Sequence, residues 1–153
     1  MNKFKVYAFN IFIALAVGGL SAFLTGGGSD LYSEIVQPPL SPPSWLFPVV
    51  WTLLFVLMGI SSSIICLSTG PAKRSALTVY GLQLAVNFLW SIIFFNLRAF
   101  YFAFFWLLLL LLLIIIMIYK FYKINKTAAY LQIPYLIWVS FAGYLTLAIA
   151  LLN

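Results

Sequence analysis

The chain has no histidine, one cysteine and two acidic residues among its 153, and each shortage closes off a class of chemistry. Without histidine there is no imidazole general base, no His-ligated zinc and no His-ligated haem. Cys66 stands alone, so neither an intramolecular disulfide nor a cysteine-cluster metal site can form. No metal site is expected. Met58, Met117 and Cys66 lack the partner or motif of a haem axial ligand and read as packing. Asp30 and Glu34 are too few and too loop-bound for an acid–base pair. Walker, Rossmann and nucleophile-elbow patterns are absent.

What fills the chain instead is apolar. Hydrophobic residues make up 65% and charged residues 7%, against about 25% charged in soluble domains, which makes this an integral membrane protein. Residues 6–29, 35–72, 75–97, 99–119 and 127–153 carry no charge, and each can hold the roughly 20 apolar residues of a spanning helix. We therefore expect an all-α, five-helix transmembrane bundle forming a single domain over 1–153, with helices near 6–24, 48–67, 76–95, 100–119 and 133–152. A β-barrel would alternate in polarity, and the run from Leu107 to Ile118 does not. The apolar stretch after Lys3 and Lys5 is longer than a signal-peptide core and reads as the first span.

Loop charges set the orientation. Lys3, Lys5, Lys73, Arg74, Lys120, Lys123 and Lys126 fall on one side, and Arg98 falls on the other with Asp30 and Glu34. The positive-inside rule places the N-terminus in the cytoplasm. The net charge of +6 then reflects topology and anionic lipid, not a nucleic-acid partner.

The first loop, 25–47, combines Gly26-Gly27-Gly28 with Pro38-Pro39 and Pro42-Pro43, a flexible half and a stiff half suited to a lid over a cavity. The second span sets Trp51, Phe55, Met58 and Ser62 on one stripe. The third sets Gln83, Asn87, Trp90, Ser91 and Phe94 together, and amides in a membrane helix should face the bundle interior. The fifth presents Tyr135, Trp138 and Ala142, with Pro134 either at its start or at a kink. Indoles beside amide and small residues suit a planar aromatic ligand. Trp51, Trp90 and Trp138 are the expected pocket tryptophans, while Trp45 and Trp106 read as interfacial or packing residues. Gly81 and Ala85 form a small-xxx-small pair suited to an intrachain or homodimer contact.

These segments resemble the TspO/MBR family, the translocator or peripheral-type benzodiazepine receptor proteins, as a bacterial member. The carriers are Pro38-Pro39-Leu40-Ser41-Pro42-Pro43-Ser44-Trp45, Val50-Trp51-Thr52-Leu53-Leu54 with Met58-Gly59, Gln83 through Ser91 with Phe94-Phe95, and Pro134-Tyr135-Leu136-Ile137-Trp138 with Phe141-Ala142. The resemblance implies a homodimeric bundle in the bacterial cell membrane that binds porphyrins and isoquinoline carboxamides under the first loop. Its ligand residues would be Tyr32 and Pro42 in the lid, with Trp51, Phe55, Asn87, Trp90, Ser91, Trp138 and Ala142 on the helices. No resident cofactor is required, because porphyrin is ligand or substrate. Bacterial relatives are linked to light-dependent protoporphyrin breakdown, for which Trp51 and Trp138 are the implied redox-active residues.

Two departures stand out. Thr146 occupies a place where the family usually has Asn. No Lys or Arg follows Tyr144, so the C-terminal cholesterol pattern of animal members cannot form, and the match at Leu113, Tyr119 and Lys123 is its one remaining carrier. Cholesterol is accordingly a doubtful partner. The competing expectation is a transporter or sensor of tetrapyrroles or sterols without turnover. For transport, no symmetric pair of broken helices points to an inverted repeat.

Overall fold

The computed structural model describes residues 2–26 and 29–153, with the side chains of Ser29, Asp30 and Tyr32 also outside the described set. Seven α-helices follow in chain order: α1 (Lys3–Leu24), α2 (Ser29–Glu34), α3 (Leu46–Cys66), α4 (Ala72–Ser91), α5 (Phe100–Ile124), α6 (Lys126–Tyr130) and α7 (Ile133–Leu152). A π-helical turn, Ile92–Asn96, extends α4. No strand occurs among the described residues. Five segments are long and apolar enough to cross a membrane: α1, α3, α4 with its π turn, α5, and α6 with α7. The protein is a multi-pass integral membrane protein built as a five-span bundle.

Local chemistry sets the ends. The Asn2 side chain caps α1 by accepting from Phe4 N at 2.9 Å, satisfying a backbone donor that the helix leaves open. Pro48 lies in the first turn of α3, where a missing N–H costs nothing. Pro134 sits at the start of α7, which settles its role as an initiator and not a kink. Asn125 caps α6 by accepting from Ala128 N at 3.1 Å, so the expected loop over 120–132 is largely helical. The first loop also differs from expectation, since it contains α2 before the prolines hold it non-helical up to Ser44.

In the bundle, α1 docks on α3, while α5 packs against both α4 and α7. One face of α5, Ala103, Leu107, Leu110, Ile114, Met117 and Phe121, is buried, and Leu108, Leu109 and Leu112 point outward. The leucine run is thus only partly lipid-facing, as a 3.6-residue period requires. Hydroxyls and amides knit the spans. Ser61 Oγ donates to Ala128 O at 2.7 Å, and Asn10 Nδ2 donates to Ser63 Oγ at 3.1 Å. Thr146 Oγ1 donates to Ala142 O at 2.7 Å on its own helix.

The loop is tied down at several points. Tyr144 Oη donates to Pro39 O at 2.7 Å. Asn153 accepts from Val36 N and donates to Val36 O, both at 3.0 Å. Arg98 Nη1 meets Glu34 Oε2 at 2.6 Å, joining α2 to the turn between α4 and α5.

Candidate functional site

A cavity of about 290 Å³ lies among α1, α3, α4, α7 and the end of the first loop, near the lower bound of ordinary small-molecule pockets. From α3 it takes Pro48, Trp51 and Phe55. From α4 and the π turn it takes Asn87, Trp90, Ser91 and Phe95, and from α7 it takes Trp138 and Ala142. Trp51, Phe55, Asn87, Trp90, Ser91, Trp138 and Ala142 were all picked out as candidates, and one cavity brings them together. Pro42 is not part of its wall. The side chain of Tyr32 lies outside the described residues.

Sequence reasoning missed the floor and one wall. Gly18, Ser21, Ala22 and Thr25 of α1 line the cavity, and only their small size could have signalled it. Ser44, Trp45 and Phe47 close it from the loop. Trp45, expected at the interface, lines the cavity while remaining 65% exposed, so it bridges the two environments. Trp106 keeps its structural role: its Nε1 donates to Val86 O at 2.8 Å. Gly81 and Ala85 face outward, and a side chain at Gly81 would meet nothing within 4 Å. An intrachain role for that pair is therefore ruled out.

The aromatic walls are cross-braced. Trp51 packs on Phe55 with ring centroids 5.8 Å apart and edge-on to Tyr135 at 6.3 Å. Trp90 stacks on Phe94 at 5.1 Å, and Phe47 meets Trp138 edge-on at 5.7 Å. Such contacts fix ring planes as well as bury area. The π turn is closed by Leu97 N donating to Ile92 O at 3.0 Å. Extra residues of this kind inside α-helices concentrate at functional sites, and this one follows Ser91 directly and carries Phe95.

The polar side of the cavity is sparse. Among the described residues no Asp, Glu, Lys or Arg lines it. The Nε1 atoms of Trp90 and Trp138 are buried without a hydrogen-bond partner, two indole donors left unsatisfied in the wall. Among the described residues no cluster of His, Cys, Asp or Glu could hold a metal ion. Such an arrangement can stack a flat apolar molecule, and its described residues include no carboxylate, amine or imidazole to serve as general acid or base.

A five-span bundle enclosing a tryptophan-walled cavity beneath an anchored proline-rich loop defines a class of multi-pass membrane protein. The family profile of TspO/MBR matches residues 10–152, and the chain belongs to the TspO/MBR family. It is 37% identical to the "Tryptophan-rich protein TspO" of Chlorobaculum tepidum, covering 100% of this chain and 99% of that one. Identity to "Protein CrtK" of Rhodobacter capsulatus is 35%, covering 100% and 94%. The "Translocator protein" of Bos taurus is 32% identical, covering 85% and 80%.

Proposed function

We propose that the cavity binds porphyrin-type tetrapyrroles, together with flat carboxamides of the isoquinoline type, and that bound protoporphyrin is consumed under light with oxygen. The observation that carries this reading is the wall itself, with Trp51, Trp90 and Trp138 around a space lined, among the described residues, by no charged side chain. Broad indole faces suit a planar π-system. A photochemical route needs no general base, in keeping with a site that supplies none. The porphyrin absorbs the light, and Trp51 and Trp138 are the oxidisable side chains beside it.

Distribution of the basic residues supports a bacterial cell-membrane protein with its N-terminus in the cytoplasm. The exposed face of α4 that carries Gly81, Leu82, Ala85 and Leu89 supports a homodimer through close helix approach.

The test follows Soret absorbance and tryptophan fluorescence of the purified protein with protoporphyrin, in darkness and under illumination. Saturable quenching with a new absorbing product only in light is expected, and Trp51→Phe and Trp138→Phe should slow the photoreaction more than they weaken binding. Saturable quenching with unchanged porphyrin would leave a binding, sensing or transport protein, and no quenching would sink the reading.

A further inference from the structure

Behind the cavity lies a buried chain of polar groups with a fixed direction. Asn87 Nδ2 donates to Tyr135 Oη at 2.8 Å, Tyr135 Oη donates to Gln83 Oε1 at 2.7 Å, and Gln83 Nε2 points at Met58 Sδ at 3.9 Å. Met58, Gln83 and Tyr135 are fully buried, and Asn87 is 4% exposed.

The direction follows from the last member. A thioether sulfur accepts but cannot donate, so the Gln83 amide must turn its nitrogen toward Met58 and its oxygen toward Tyr135. The single Tyr135 proton is then committed to Gln83. Asn87 can join the chain only as a donor, through Nδ2. Its Oδ1 receives no donor from any described residue, yet it is not among the sealed, unpartnered atoms. As Asn87 lines the cavity, that oxygen is open to it.

We propose that Tyr135 and Gln83 are positioning residues of the cavity, holding the Asn87 carboxamide with Nδ2 turned into the bundle and Oδ1 presented to the bound molecule. A ligand thus meets an open acceptor at Asn87. This rests on the ligand-binding reading of the cavity. It assigns Tyr135 a role apart from its ring, which braces Trp51 at 6.3 Å and is retained in Tyr135→Phe.

A double-mutant cycle with protoporphyrin in detergent micelles reads the coupling, because residues acting through one another are non-additive. Asn87→Ala should weaken binding about 10-fold and Tyr135→Phe about 3- to 10-fold, in line with loss of one hydrogen bond. The double variant should be no weaker than Asn87→Ala within about 2-fold. Multiplied losses would overturn the proposal. Side-chain amide NMR on ligand-free wild-type protein, with Asn87 assigned by its loss in Asn87→Ala, provides a readout that needs neither ligand nor a folded Tyr135→Phe. Proximity of the Asn87 Nδ2 protons to the Tyr135 ring edge is expected, and its absence would overturn the positioning role. If wild type fails to bind protoporphyrin, the functional reading falls while the amide signal still decides the positioning.

Discussion

Two glycines facing neighbouring helices should respond in opposite ways to the same added methyl group. A Cβ at Gly59 would lie 2.5 Å from Ile11 Cα and 2.8 Å from Ile11 N, both backbone atoms of α1. A Cβ at Gly18 would lie 2.5 Å from Phe55 Cε2 and 2.6 Å from Cδ2, the edge of a side-chain ring. Ordinary contact begins at 3.4 Å, so each obstacle must retreat by about 0.9 Å. In Gly59→Ala the obstacle is a helix backbone, and α1 must separate from α3 along their contact. In Gly18→Ala it is a ring that already lines the cavity, and the open volume is where it can go. Both substitutions gain about 0.5–1 kcal/mol of helix propensity, against an overpacking cost of about 1–3 kcal/mol, higher where backbone must shift. Gly59→Ala should therefore lose several kcal/mol of stability, while Gly18→Ala should stay within about 1–2 kcal/mol of wild type. The strain in Gly18→Ala should appear instead as ligand affinity, roughly 5- to 150-fold weaker if about 1–3 kcal/mol falls on a bound molecule. Thermal unfolding in detergent and fluorescence titration with protoporphyrin separate the two effects. Wild-type affinity in Gly18→Ala, or equal destabilisation by both changes, would refute the reasoning.

Legibility from sequence was greatest where the membrane imposed a rule. Spans stood out because charges interrupt apolar runs, and the inward stripes stood out because Phe55 and Met58 on α3 recur at helical spacing while Gln83 and Asn87 on α4 and Tyr135 on α7 carry polar atoms that lipid cannot satisfy. What stayed hidden depends on close approach. Gly18, Ser21, Ala22 and Thr25 contribute a wall by being small, and smallness on α1 has the same pattern whether it faces lipid, a helix or a cavity. The cavity-facing side of Trp45 was not legible, because an indole at a helix start reads as an interfacial anchor and only the path of the loop brings it over the cavity. The π turn has no sequence signature, since its extra residue is defined by which carbonyl Leu97 N reaches. The helical stretches α2 and α6 escaped notice because each is shorter than two turns and too brief for periodicity to register.

Further perturbations separate packing from binding. Arg98 holds φ at 51°, a conformation that favours glycine, and its ion pair with Glu34 has side chains 46% and 56% exposed, worth at most about 1 kcal/mol. Arg98→Gly should accordingly leave thermal stability within about 1 kcal/mol of wild type, whereas β-branched Arg98→Val should destabilise measurably. Ser61→Ala removes the donor to Ala128 O and should cost about 0.5–1.5 kcal/mol in unfolding without altering protoporphyrin affinity. Trp106 and Trp90 make the sharpest comparison, because the Trp106 N–H is engaged by Val86 O at 2.8 Å and the Trp90 N–H is unpartnered at the cavity. Trp106→Phe removes a second donor to Val86 O and the indole's packing on α4 and should lower stability with affinity unchanged, while Trp90→Phe relieves an unsatisfied donor in the empty protein and should lower affinity with stability held or improved. Affinity lost through Trp106→Phe but not through Trp90→Phe would mean that the bound molecule does not use the cavity wall described.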